Sequence, residues 1–132
     1  MALIATDSLR YSNTVKHEYE PALGFCRESV TVNETSAKTY VIGTVLGQVT
    51  ATGKYKISLQ GATDGSQNPV AVVIEDKSVA ATTDTKVLVI ARGPVIVGKA
   101  ALGLDASFGT QAQKDAAYAS LAAKGILVND QF

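Results

Sequence analysis

The stretch Leu9–Glu20 constrains this chain more than any other, because its residues alternate over a dozen positions. Leu9, Tyr11, Val15 and Tyr19 share one parity, with Asn13 and His17 as its less apolar members. Arg10, Ser12, Thr14, Lys16, Glu18 and Glu20 take the other parity, and Pro21 closes the run. A period of two is the mark of a strand with one buried face. Twelve residues at about 3.3 Å each would reach roughly 40 Å. That is long for so small a chain, and the run precedes the part that reads as the core. A strand without a sheet of its own needs a partner, and adding a strand to another protein's sheet edge is a known recognition mode. The pattern points to a chain that attaches to another protein. The plainer alternative is an ordinary edge strand of the chain's own fold.

The 132 residues suit one domain with a real core. Charged residues make up 18%, below the usual quarter, so the surface is thinly charged. Lys plus Arg and Asp plus Glu are 12 each, and the net charge of zero disfavours a partner held by phosphate neutralisation. It disfavours a charged membrane surface equally. Lys54, Lys56, Lys86 and Arg92 read as solvated strand faces. Cys26 is the single cysteine, so no internal disulfide framework exists. No transmembrane run is present, and the N-terminus lacks a basic region followed by an apolar stretch, which predicts a protein made in a reducing interior. Asn33-Glu34-Thr35 matches a glycosylation sequon, which means little without a secretory signal.

Residues 1–24 read as an extended arm ending near Pro21-Ala22-Leu23-Gly24, and residues 25–132 as the folded domain. Strands are expected at Ser29–Val32, Tyr40–Gln48, Lys54–Leu59, Val70–Ile74, Lys86–Ala91, Val95–Val97 and Ile126–Val128. Tyr55, Ile57 and Leu59 would point inward, and Lys54, Lys56 and Ser58 outward. Val70–Ile74 is continuously apolar, as a strand covered on both faces should be. One helix is expected, capped by Thr110, filled with alanine and ended by Gly125 with Ile126 as the contact just beyond. Gly43, Gly47, Gly53, Asp64, Gly65, Pro69, Gly93 and Gly125 are assigned to structural turns and caps. The fold class is mainly β: a compact, barrel- or tulip-like domain with one C-terminal helix and an N-terminal arm.

Candidate chemistry is sparse. One histidine, His17, and one cysteine make no zinc site. As a nucleophile and base, Cys26 and His17 lack an orienting third group. Gly47 to Tyr55 misses the phosphate-loop pattern by one residue of spacing and by Tyr55 where Ser or Thr would hold magnesium. Glu75-Asp76-Lys77-Ser78 is similar to the hairpin tip of lipoyl carrier domains, whose lysine bears the cofactor, but symmetric flanks are missing and a charged turn is the plainer reading. No enzyme activity, cofactor, metal or small-molecule ligand is expected.

The order and spacing of the core motifs carry a resemblance. Gly43-Thr-Val-Leu-Gly47, Thr50-Ala-Thr-Gly-Lys-Tyr55, Ala62-Thr-Asp-Gly65 and Pro69-Val-Ala-Val72 come first. The Ala80–Asp84 segment, Val87-Leu-Val-Ile-Ala-Arg-Gly93 and Gly125-Ile-Leu-Val128 follow. Together, over about residues 28–128, they resemble the head decoration proteins of tailed bacteriophages, the family of the lambda head decoration protein. The resemblance implies a cement protein of the virion, made in the host cytoplasm and bound to the outer surface of the expanded head. It implies homotrimers at three-fold positions, with the major capsid protein and the protein itself as partners. It implies an arm that orders on the capsid, for which the alternation proposes Leu9, Tyr11, Val15, His17 and Tyr19. The competing readings are a tail component or other virion β protein, and a lipoyl-type carrier.

Overall fold

A computed structural model describes residues 15–19, 24, 26–99 and 102–129, with the backbone alone for Lys16 and His17, and among these described residues it shows ten short strands and one helix. The strands are β1 (Val15–Glu18), β2 (Arg27–Val32), β3 (Lys38–Tyr40), β4 (Val45–Gln48), β5 (Tyr55–Ile57), β6 (Pro69–Val73), β7 (Lys77–Val79), β8 (Thr85–Ile90), β9 (Val95–Gly98) and β10 (Ile126–Asn129). The helix α1 spans Gln111–Ala122. Strands β2, β5, β4, β6 and β8 close into a barrel in that order. Strands β1, β9 and β10 form a separate sheet with β9 in the middle, and β3 pairs with β7. The expected mainly β fold with one late helix is what the structure shows.

Alternation on the barrel strands builds two cores. Leu46, Ala71, Val73, Val87 and Val89 join Val30 and Val32 in one cluster, closed by Tyr40 and Val79 from the β3–β7 pair. Their neighbours Val45, Val72, Ile74 and Ile90 face the other way and pack with Val95, Val97, Leu121 and Ile126. Strands β6 and β8 are therefore walls between two apolar layers, which is why their sequences read as unbroken apolar runs. Each fully buried Val or Ile contributes roughly 1.5–3 kcal/mol.

The helix starts where its sequence says it should. The Thr110 hydroxyl accepts from the Gln113 N–H at 3.2 Å, and the Gln113 side chain reaches back to the Thr110 N–H at 3.2 Å. This reciprocal box satisfies two otherwise unpaired donors. At the other end, Gly125 takes the left-handed φ of +81° and abuts Gly93. A β-carbon on Gly93 would lie 1.9 Å from the Gly125 carbonyl oxygen, so only glycine fits there.

Four expectations need correction. The Tyr40–Gln48 run is split, because Gly43 turns the chain at a φ of +101° and donates its N–H to the Val73 carbonyl at 2.8 Å. After Ile57 the parity reverses: Ser58 is buried and Leu59 exposed. Gly47 and Pro69 lie in strands rather than turns, and they face each other in the β4–β6 register. Glu75-Asp76-Lys77-Ser78 is not a free charged turn. The Glu75 carboxylate accepts from the Leu88 N–H at 3.0 Å, the Asp76 carboxylate from the Ile42 N–H at 3.2 Å, and Lys77 stands in β7 opposite Tyr40. Lys77 therefore sits in a paired strand, where a carrier lysine at a hairpin tip would be free on both sides.

Candidate interaction site

The chain enters the described fold at Val15, on the outer strand of the three-stranded sheet. Strand β1 runs antiparallel to β9, with Val15 opposite Val97, His17 opposite Ile96 and Glu18 opposite Val95. Between the first two pairs β1 advances two positions while β9 advances one, so Lys16 is the extra residue of a bulge. The bulge breaks the period-two pattern. Val15 and Glu18, three apart in sequence, are both buried, at 6% and 7% exposure. Val15 packs with Cys26, Val95, Val97 and Ile126.

Glu18 is a carboxylate inside the fold, and its side chain is 3% exposed. Removing it from water is costly unless a counter-charge meets it. Arg27 does so side-on: its Nε donates to Oε2 at 2.8 Å and its Nη2 to Oε1 at 2.9 Å. The fork geometry fixes plane as well as distance. Arg27 opens β2 and pairs with Ile90, so the bond ties β1 to the barrel wall. Next to it, the Tyr19 N–H donates to the Pro94 carbonyl at 3.1 Å, and the Cys26 thiol lies 3.6 Å from the Tyr19 carbonyl. Tyr19 is 45% exposed. Across the sheet, His17, Ile96 and Leu127 share one register row, and Leu127 is 47% exposed.

The expected arm residues are thus not brought together as one free strand. Leu9 and Tyr11 lie outside the described residues, Val15 belongs to the chain's own core, His17 holds a place in the β1–β9 register, and Tyr19 is exposed just past β1. Over Val15–Glu18 the chain is an edge strand of its own sheet, because β9 offers it an unpaired side. Sequence reasoning missed Glu18 and Arg27. The available signal was a carboxylate and a guanidinium nine residues apart, flanking Pro21 and Gly24, but the parity argument put Glu18 outward.

The turn residues are dispersed over the barrel. Gly53 and Gly65 have φ of +72° and +100°, and the Asp64 carbonyl accepts from the Thr50 N–H at 2.9 Å. The Ser66 hydroxyl and N–H hold the Asp64 carboxyl below the usual carboxylate range. A second buried carboxylate, Glu34, accepts from the Tyr40 hydroxyl and from the Ile57 N–H at 2.8 Å. It links β5, the loop after β2 and the β3 end of the barrel. Burial and Glu34 together push the Tyr40 phenol up.

Among the described residues, no three His, Cys, Asp or Glu side chains come together. A hollow of about 400 Å³ between α1 and the loop before β6 is lined by Gln60, Gln67, Phe108 and Ser120 among others, with no titratable side chain.

No curated protein matches the chain. The family model described as bacteriophage lambda head decoration protein D matches residues 6–126. The match is wider at its start than the core motifs alone, taking in Leu9, Tyr11 and all of β1 as well as the barrel, α1 and the first residue of β10. With the barrel, the late helix and nearly the whole length accounted for, the chain belongs to the bacteriophage lambda head decoration protein family and is a structural protein of the phage capsid.

Proposed function

We propose that the protein cements the outside of the expanded phage head, as homotrimers at three-fold positions, and braces the major capsid protein lattice against packaged DNA. Its role in this reading is structural rather than catalytic. Residues 1–14 serve as the arm that lies against the major capsid protein, and residues 15–132 form the body. The observation that carries the reading is the family match, which starts at residue 6 and so takes in the whole alternating segment. The boundary moves from residue 24 to residue 14 because β1 pairs with β9.

In this scheme Val15 no longer contributes to shell binding, since its apolar surface is spent on the core. Leu9 and Tyr11 remain as apolar contacts of the arm. Ordering an arm costs on the order of 1–2 kcal/mol per residue in backbone entropy. Two apolar side chains return roughly 1.5–3 kcal/mol each, so strand hydrogen bonds must supply the rest and the margin per arm is small. Joining three arms in one trimer raises their effective concentration and makes weak contacts collectively strong.

The test is co-sedimentation with expanded, undecorated heads of the parent phage, with the full chain and a version lacking residues 1–14. Saturable binding that the truncation weakens supports decoration through the arm. Equal binding by both moves the contact to the body. No binding by either refutes decoration.

A further inference from the structure

We propose that Glu18 and Arg27 form a clamp that aims residues 1–14 at the shell, a positioning pair for capsid binding rather than a contact with the capsid. This rests on the arm reading above. Strand β1 is four residues long, lies at a sheet edge and carries a bulge at Lys16. A short, irregular edge strand has weak register of its own. Val15 holds one end of β1 by burial, which has no preferred direction. Glu18 holds the other end by two parallel hydrogen bonds, at 2.8 and 2.9 Å, which do.

The partner of Glu18 is placed to convey the barrel's frame. Arg27 is the first residue of β2, and the β2–β8 ladder starts with its pairing to Ile90. The clamp thus fixes β1 against the barrel wall, and residues 1–14 leave from Val15, three positions from the clamped carboxylate. An apolar pair of similar size would fill the same space without setting an angle. An arm whose root swivels spreads over many directions, whereas a fixed root concentrates it near one site on the shell.

The experiment compares the full chain with Glu18→Gln, Arg27→Gln, Arg27→Lys and the version lacking residues 1–14. Thr110→Ala, at the far helix cap, serves as a control for lost stability alone. Two quantities are read: half-saturation on undecorated expanded heads, and the rate of tryptic cleavage after Lys16, which requires β1 to undock. Glu18→Gln is expected to weaken binding about tenfold and to speed cleavage about tenfold, the scale of one lost charge-assisted bond, and Arg27→Gln to do both more strongly, because it leaves the buried carboxylate without its counter-charge. Arg27→Lys keeps the charge but not the fork, and is expected to recover part of both. Thr110→Ala is expected to leave both within about twofold, since its loss lies at the far helix cap. Weakening by Thr110→Ala as large as by Glu18→Gln would overturn the clamp. So would unchanged binding by both clamp variants when deletion of residues 1–14 abolishes it, and in that case the arm reading survives. Undiminished binding after the deletion removes the arm reading, and the clamp with it. Should Glu18→Gln or Arg27→Gln fail to fold, Arg27→Lys carries the test, because it keeps a cation beside the buried Glu18 carboxylate and loses only the fork.

Discussion

Replacing Val15 by alanine separates the body from the arm. The alternation alone would class Val15 with the capsid contacts, so that its loss would weaken attachment and leave the free protein unchanged. Its 6% exposure among Cys26, Val95, Val97 and Ile126 reverses that expectation. The substitution removes two buried carbons, about 1.6 kcal/mol at roughly 0.8 kcal/mol each. A residual cavity adds to this, but β1 is an edge strand that can settle inward, so the total is about 2 kcal/mol. For a chain of this length each kcal/mol shifts the melting temperature by about 3–4 °C, giving a fall of about 6–8 °C. Thermal unfolding followed by circular dichroism measures it on the free protein. Leu9→Ala is the matched comparison, expected under the proposed arm role to leave the melting temperature within about 1 °C. A melting temperature unchanged by Val15→Ala, with shell binding lost instead, would refute the assignment of Val15 to the core.

Two further predictions follow from close approaches and buried groups. Gly93→Ala forces its β-carbon against the Gly125 carbonyl and strains the Gly93–Lys124 and Val95–Gly125 backbone bonds of 2.9 and 3.1 Å. The urea midpoint should report a loss of about 2–3 kcal/mol, whereas Gly61→Ala, facing open space, should stay within about 0.5 kcal/mol. The Tyr40 phenol, raised above its ordinary value of 10.0 by burial and Glu34, keeps its proton in the fold when unfolded chains lose theirs. Its contribution is therefore complete below pH 10 and drains away as pH rises beyond it. Tyr40→Phe should cost about 1–2 kcal/mol at neutral pH and show a shallower loss between pH 9 and about 11; parallel slopes in the two proteins would refute the burial argument.

The parts of the fold legible in the sequence are those whose signals are local. Val70–Ile74 and Lys86–Ala91 announce themselves because each strand is apolar on both faces, and α1 because Thr110, Gln113 and Gly125 cap it from its own ends. The illegible parts depend on partners distant in sequence. Lys77-Ser78-Val79 is a strand only because β3 stands beside it. The parity reversal at Ser58 follows from its N–H reaching the Val45 carbonyl at 3.2 Å as the chain leaves the ladder. The bulge at Lys16 exists only in relation to β9, about eighty residues later, and without it Glu18 belongs to the outer parity. The candidate site was legible as a region and not as a set of residues. Alternation points to the N-terminal segment, but the buried Glu18–Arg27 pair needs the register to be seen.

The barrel and the three-stranded sheet draw on the chain in different ways. Every barrel strand lies between Arg27 and Ile90, whereas the sheet gathers β1 from before that span and β9 and β10 from after it. On a ribosome, where N-terminal segments fold first, the barrel can close while the last third of the chain is still being made. Strand β1 must wait for β9, and β9 must wait for Ile126 to gain its second neighbour. A nascent chain can therefore own a closed barrel before it owns a docked β1. The same order of events delays completion of the three-stranded sheet until β10 has been made.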